Sequence, residues 1–226
     1  MVKLFSSLRK RMRQSKQQLV ILKKKTPICK VCFKEKQPNF NDLIRDTNVC
    51  NKCFRDLDVK FNVSKIAGVT YISVFNYDEH FKTLLFHLKG LKDIVLAPLF
   101  LERFIPYFKV RFINYYLVPA PSTIESDKER GFNHVIEIFK PLQRPFLRLI
   151  TKKVAFKQSD LNYALRQKVK DKLVINNGNK VKGKNILIVD DIKTTGATIM
   201  AMINLIKPYN PRKIAILTLA ETSLSE

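Results

Sequence analysis

Tryptophan is absent from the chain, acidic residues are few, and no apolar stretch is long. The longest unbroken apolar run, Ile94–Leu101, falls far short of the roughly 20 residues that span a bilayer, so no transmembrane helix is expected. A secretory signal is not expected either, because Arg9, Lys10, Arg11, Arg13 and Lys16 stand where its apolar region would be. The expectation is a soluble, cytoplasmic protein. The shortage of acid is the larger fact: 42 Lys+Arg against 19 Asp+Glu leave 226 residues with a net charge of +23. Such an excess repels itself and suits polyanionic partners: nucleic acid, phosphorylated ligands or an anionic surface. With 46% hydrophobic residues the chain is nonetheless one that folds.

Composition divides it in three. Residues 1–25 carry nine Lys or Arg and no acid, a basic leader in which Leu4, Leu8 and Met12 recur at helical spacing. The leader reads as a frayed, solvated extension, with a short amphipathic helix on a phosphate backbone or, more weakly, on a lipid surface as the alternative. Residues 26–60 hold all four cysteines and little hydrophobic periodicity. From residue 65 to 226 strands and helices alternate. Val69–Phe75 reads as a strand, Asp78–Lys89 and Ile94–Phe108 as helices, and Tyr115–Val118 as a strand stopped by Pro119 and Pro121. Phe132–Leu142 is helical in pattern, Asp160–Lys170 is polar, and Asn176–Asn179 is a turn. Asn185–Val189 has the continuous apolar character of a parallel strand buried on both faces. A helix over Ala197–Ile206 and a strand over Lys213–Leu219 complete a βαβ unit, which makes the class α/β with a doubly wound, mostly parallel sheet. The aromatic-rich stretch Phe104–Tyr116, interleaved with Lys109 and Arg111, reads as packing of a helix and strand, with stacking on single-stranded bases as the alternative.

Cys29-x-x-Cys32 and Cys50-x-x-Cys53, 17 residues apart, have the spacing of a four-thiolate zinc site. A segment this poor in apolar residues cannot hold itself together, and an ion on four thiolates supplies the missing folding free energy. Disulfides would need an oxidising compartment, and a redox pair would need a different strand–helix setting. His80, His87 and His134 all fall outside this module.

Ile186–Thr198 reads ILIVDDIKTTGAT. A buried strand ends in two carboxylates, and a Thr/Gly turn opens into a helix. Ligands bind at this end of the strands in open α/β sheets. Asp190 and Asp191 are acceptors suited to vicinal ribose hydroxyls. Lys193, Thr194, Thr195, Gly196, Ala197 and Thr198 offer backbone N–H groups and hydroxyls at a helix N-terminus, where an anion is favoured. A 5-phosphorylated ribose matches these features together. The rival reading, an ordinary strand–turn–helix junction with a Thr cap, fits the pieces separately but not the whole string.

The string resembles the phosphoribosyl pyrophosphate (PRPP) motif of type I phosphoribosyltransferases. Together with the paired CxxC motifs, Leu88-Lys89, Val118-Pro-Ala-Pro121 and Glu129-Arg-Gly-Phe-Asn-His134, it is similar to the ComF family of competence proteins, over about residues 26–222. The resemblance implies a phosphoribosyltransferase-type sheet with a small N-terminal zinc ribbon. It further implies PRPP as ligand with Mg2+ on the diphosphate, and a link to DNA uptake. Lys89 and Arg130 are the cations it sets toward the diphosphate, with Arg suited to phosphate by its fork of donors. His134 stands where the family usually has Gln. Val169 replaces an expected Asn downstream of Arg166, and Thr194 replaces the acid that purine-salvage enzymes use on the base, so a hypoxanthine-type activity is not implied. Two readings remain: a PRPP-binding protein that transfers the ribosyl group, or a nucleic-acid-binding protein that keeps the loop as a sensor. Single-stranded nucleic acid and a protein of the DNA-uptake machinery are the macromolecular partners implied. No residue is singled out as catalytic.

Overall fold

The computed structural model describes residues 27–36, 47–152 and 173–222. The basic leader, the polar stretch Asp160–Lys170 and the Arg166/Val169 departure lie outside the described residues. The strands are β1 (Val59–Ile66), β2 (Val69–Asn76), β3 (Tyr115–Pro119), β4 (Ile150–Lys152), β5 (Leu173–Ile175), β6 (Asn185–Lys193) and β7 (Lys213–Glu221). The helices are α1 (Asn51–Arg55), α2 (Glu79–Lys89), α3 (Ile105–Arg111), α4 (Ile124–Arg130), α5 (His134–Phe139) and α6 (Ala197–Ile206).

The main sheet has the order β1-β2-β7-β6-β3, with β1 antiparallel to β2 and every other pairing parallel. A second, two-stranded sheet pairs β4 with β5. The continuous apolar run of β6 is explained by burial on both faces. Leu187 and Val189 join Phe81, Leu84, Leu85 and Leu88 of α2 and Val135, Ile138 and Phe139 of α5 in one core. Ile186 and Ile188 join Ile199, Met202, Ile203 and Ile206 of α6 in the other. Helices therefore cover both faces, the doubly wound arrangement expected. Among the described residues no helix is long and apolar enough to cross a membrane.

Proline accounts for most departures in the helices. The segment expected as one helix over Ile94–Phe108 is a 3-10 segment, Ile94–Leu99, containing Pro98, followed by α3 with Pro106 in its first turn. Pro141 likewise ends α5 in a 3-10 turn, Lys140–Leu142. Strand β1, unassigned from sequence, is a mostly exposed edge strand in which Val59, Phe61 and Val63 alternate with Lys60, Asn62 and Ser64. It turns into β2 through Ala67 and Gly68, both at positive φ. Within the aromatic stretch Phe108 and Phe112 are core residues that stack on each other, while Tyr107 is exposed. Packing therefore explains most of its aromatic content.

Candidate functional site

Strand β6 does not stop at Val189, as expected, but runs on to Lys193, because β7 continues beside it to Glu221. Asp190 and Asp191 thus lie within the last paired stretch rather than at a free tip. Their carboxylates fold onto the next peptide: Asp191 N–H donates to Asp190 Oδ1 (2.9 Å) and Ile192 N–H to Asp191 Oδ1 (2.8 Å).

Asp191 is only 6% exposed and is the centre of a charged cluster. Its Oδ2 is ion-paired with Lys89 Nζ and lies 3.3 Å from His134 Nε2. Lys89 is the last residue of α2, whose start is fixed by the Asp78 side chain accepting from Phe81 N–H and whose buried face is Phe81, Leu84, Leu85 and Leu88. His134 opens α5. Arg130 closes α4, and its Nη1 lies 3.0 Å from His134 Nδ1 and 3.3 Å from Asp127 Oδ1, while its Nε donates to the Lys89 carbonyl at 3.4 Å.

A short stretch of sequence does this positioning. Gly131, at φ +84°, ends α4 with its N–H on the Asp127 carbonyl, a left-handed turn that favours glycine. Asn133 then caps α5, its Oδ1 accepting from Ile136 N–H, while its Nδ2 donates to Asp127 Oδ2 and Ser122 Oγ, each at 2.8 Å. Helix end, turn and helix start therefore bring Arg130 and His134 together. The Val118–Pro121 stretch lies beside them, with Ala120 N–H on the Val189 carbonyl.

Like charges and burial set the two carboxyls apart. Burial pushes Asp190 well above the usual carboxylate range, and the charge of Asp191 adds to the rise. Burial acts upward on Asp191 too, but the hydrogen bond from His134 and the charge of Lys89 outweigh it and hold this carboxyl well below that range.

Beyond β6, Thr194, Thr195, Ala197 and Thr198 are exposed, so the turn faces solvent. Gly196 sits at φ +77° as the N-cap of α6 and supplies no side-chain acceptor, and the first turn of α6 has no acid. Ala197 N–H donates to Thr195 Oγ1 at 3.3 Å, and a helix start of this kind favours an anion. Lys193 is placed differently from the other expected residues. It ends β6, and its amine is held by Glu221 Oε2 at 3.3 Å, above the Tyr71 ring. Sequence reading assigned no role to Asp127, Asn133 and Glu221. The Asn-x-x cap after a glycine was a usable signal for Asn133, whereas Glu221 is brought in by a long-range strand pairing.

The four cysteine sulfurs lie within 4.8 Å of one another. The Cys29 sulfur accepts N–H groups of Val31 and Cys50, at 3.4 and 3.3 Å, and the Cys50 sulfur caps α1 by accepting from Cys53 N–H. Burial pushes Cys29 up, but backbone N–H groups of Cys32, Cys50 and Val31 outweigh it and bring the thiol to about 7. Burial and the neighbouring Cys50 raise Cys53. Four crowded thiols with N–H donors on their sulfurs suit a soft divalent ion. The cluster is docked on the α/β domain: Asn48 donates to Glu102, Arg103 donates to Asn51 and lies 4.0 Å over the Phe54 ring, and Val49 and Leu57 join the α2 core.

Residues 143–224 match the phosphoribosyl transferase domain family. The chain is 30% identical over 133 residues to competence protein ComFC of Bacillus subtilis (strain 168), covering 56% of this chain and 53% of that protein. It is 26% identical over 153 residues to ComFC of Streptococcus pneumoniae, covering 68% and 69%. The chain thus spans about half the length of the Bacillus relative. A hypoxanthine-guanine phosphoribosyltransferase from Bacillus anthracis overlaps 56% of this chain and 70% of that one, at 15% identity and a TM-score of 0.37. The fold is read from the strand order above, not from that overlap.

Proposed function

We propose, on the premise that residues 143–224 carry a phosphoribosyl transferase domain in a homologue of the ComFC proteins, that this chain binds PRPP at the end of β6. The observation that carries the reading is the convergence of Asp191 with Lys89, His134 and Arg130 beside the exposed turn that opens α6. The turn Thr194–Thr198 takes the 5-phosphate on N–H groups and hydroxyls. Asp190 and Asp191 accept from the ribose hydroxyls. Lys89 and Arg130 supply positive charge toward the diphosphate. Mg2+ would come with the diphosphate and neutralise it as a leaving group. If the ribosyl group is transferred, Thr194 cannot take a proton as a carboxylate would, so the acceptor must be one that needs no base there.

The four cysteines hold a structural zinc ion in this reading, and four thiolate ligands suit a reducing cytoplasm. The net charge of +23 supports a second role, contact with single-stranded nucleic acid in DNA uptake; the relatives are named as competence proteins.

Isothermal titration of PRPP with Mg2+ tests the first reading. The wild type should bind, and Asp190→Ala/Asp191→Ala should not. Absence of binding by the wild type would reject it. For the second role, log affinity for a single-stranded oligonucleotide should fall steeply with log salt through counterion release, and a flat dependence counts against it.

A further inference from the structure

Lys193 is the residue at which β6 gives way to the Thr194–Thr198 turn, and three contacts fix it. Its carbonyl accepts from Thr222 N–H at 3.0 Å, and its amine lies 3.3 Å from Glu221 Oε2 and 5.4 Å over the ring of Tyr71. Tyr71 is fully buried, with its hydroxyl 2.9 Å from Thr218 Oγ1, so the ring is a fixed floor. Glu221 is held in turn from the edge strand: its Oε1 accepts from Asn62 Nδ2 at 2.6 Å. The lysine stem then runs beside Gly196, where an added Cβ would come within 3.7 Å of Lys193 Cε and 4.0 Å of its Cγ.

We propose that Glu221 is a positioning residue for the turn that takes the 5-phosphate, acting through Lys193, whose stem is the post around which Thr194–Gly196 folds. The proposal rests on the PRPP reading and deepens it. A chain of contacts, from Asn62 to Glu221 to Lys193 to Gly196, runs from edge strand β1 to the turn. The Lys193 and Glu221 side chains are each 20% exposed, so the pair is sheltered over most of its surface. Shelter matters here, because a fully solvated ion pair holds almost nothing in place.

Position 221 needs a carboxylate for this. Its two oxygens serve two donors, Oε1 for Asn62 and Oε2 for Lys193. A glutamine amide has one acceptor oxygen and can satisfy only one of them. Burial pushes the Glu221 carboxyl up, but the hydrogen bonds from Asn62 and Lys193 outweigh it and bring it below its ordinary value. The pairing also occupies the charge of Lys193. The turn therefore meets the 5-phosphate with N–H groups and hydroxyls, while the lysine sets the shape of the turn. The diphosphate is met by Lys89 and Arg130, which come from α2 and α4. Loosening the turn is thus felt by one half of the ligand and not by the other.

The test uses the full chain as wild type, Glu221→Gln, Lys193→Met and the double variant. Ribose 5-phosphate and Mg2+ pyrophosphate, titrated separately, probe the two halves of the ligand. Glu221→Gln should weaken ribose 5-phosphate binding by about fivefold, the size of one well-held ion pair, and leave pyrophosphate affinity unchanged. Lys193→Met should do the same, and the double variant should be no weaker than the weaker single one, because the two residues act as a unit. Unchanged ribose 5-phosphate affinity, equal losses for both probes, or additive losses in the double variant would each overturn the proposal. Should Lys193→Met fail to fold, Glu221→Gln decides alone through the split between the probes. Nitrogen-15 relaxation of the ligand-free protein needs no ligand: amide order parameters of Thr195 and Gly196 of about 0.85 in the wild type should fall below about 0.6 in Glu221→Gln. Values already low in the wild type, or equal in the two proteins, overturn the proposal whether or not either probe binds. A wild type that binds neither probe, with the order parameters as expected, would reject the ligand reading and with it the proposed effect on binding.

Discussion

Asp190 and Asp191 are neighbours in sequence and opposites in energetics. Asp191 has its folded pKa below the unfolded value, so its stabilising contribution is present above the ordinary carboxylate range and is lost as pH falls through the lowered value. Asp190 has its folded pKa raised, so its contribution is favourable only at low pH and is lost as pH rises through the raised value. Asp191→Asn should therefore destabilise the ligand-free protein at pH 7, by about 2 kcal/mol, since it leaves Lys89 and His134 facing a neutral amide in a mostly buried place. Asp190→Asn should stabilise it at pH 7, with the difference shrinking at pH 4, while still weakening PRPP binding. Thermal melts at the two pH values check both signs, and equal shifts for the two variants would contradict the assignment. These two acids were legible in the sequence because strand, carboxylates, turn and helix are consecutive. Their unequal environments were not, since Lys89 and His134 come from α2 and α5.

At the scale of elements, the turn between α4 and α5 holds the cationic side of the site. Asn133→Ala removes the cap of α5 and the ties to Asp127 and Ser122, which should cost about 1–2 kcal/mol and weaken PRPP binding by loosening Arg130. Unchanged melting and unchanged affinity together would show that the turn positions nothing. On the other side of the sheet, a Cβ added at Gly178 would meet the Tyr209 ring at 2.3 Å. Gly178→Ala should destabilise the fold by about 1–3 kcal/mol through overpacking, with ligand affinity unaffected once folded, as denaturant melts and titration would show. The sequence marked this place as a turn but not the ring lying on it. Helix α6 was legible to the residue because its apolar spacing and flanks agree, and α2 nearly so, with Asp78 as its cap. Helix α4 was hidden because it has no buried residue to create a period, whereas β1 was legible in the alternation of Val59, Phe61 and Val63 with polar residues, although the sequence reading did not assign it.

For the whole molecule, the cysteine cluster and the α/β domain share one core, since Val49, Cys53 and Leu57 pack with residues of α2 and the 3-10 segment Ile94–Leu99. A zinc ion bound there stabilises more than its own loops. Stoichiometric zinc should accompany the purified protein, and a chelator or Cys50→Ser should lower the melting temperature of the entire chain. A melt indifferent to chelation would rule out a structural metal. Paired CxxC spacing made the cluster legible from sequence. Its docking through Glu102, Arg103 and Asn48 depends on contacts some 50 residues apart in the chain and carries no local signature. The function of the β6 end is fixed by where a phosphoribosyl ligand sits. Crystals grown with PRPP and Mg2+ measure that directly: density for the 5-phosphate is predicted against the N–H groups of Thr194–Thr198, with the ribose hydroxyls on Asp190 and Asp191. Ligand density elsewhere, or a saturated crystal with that turn empty, would contradict it.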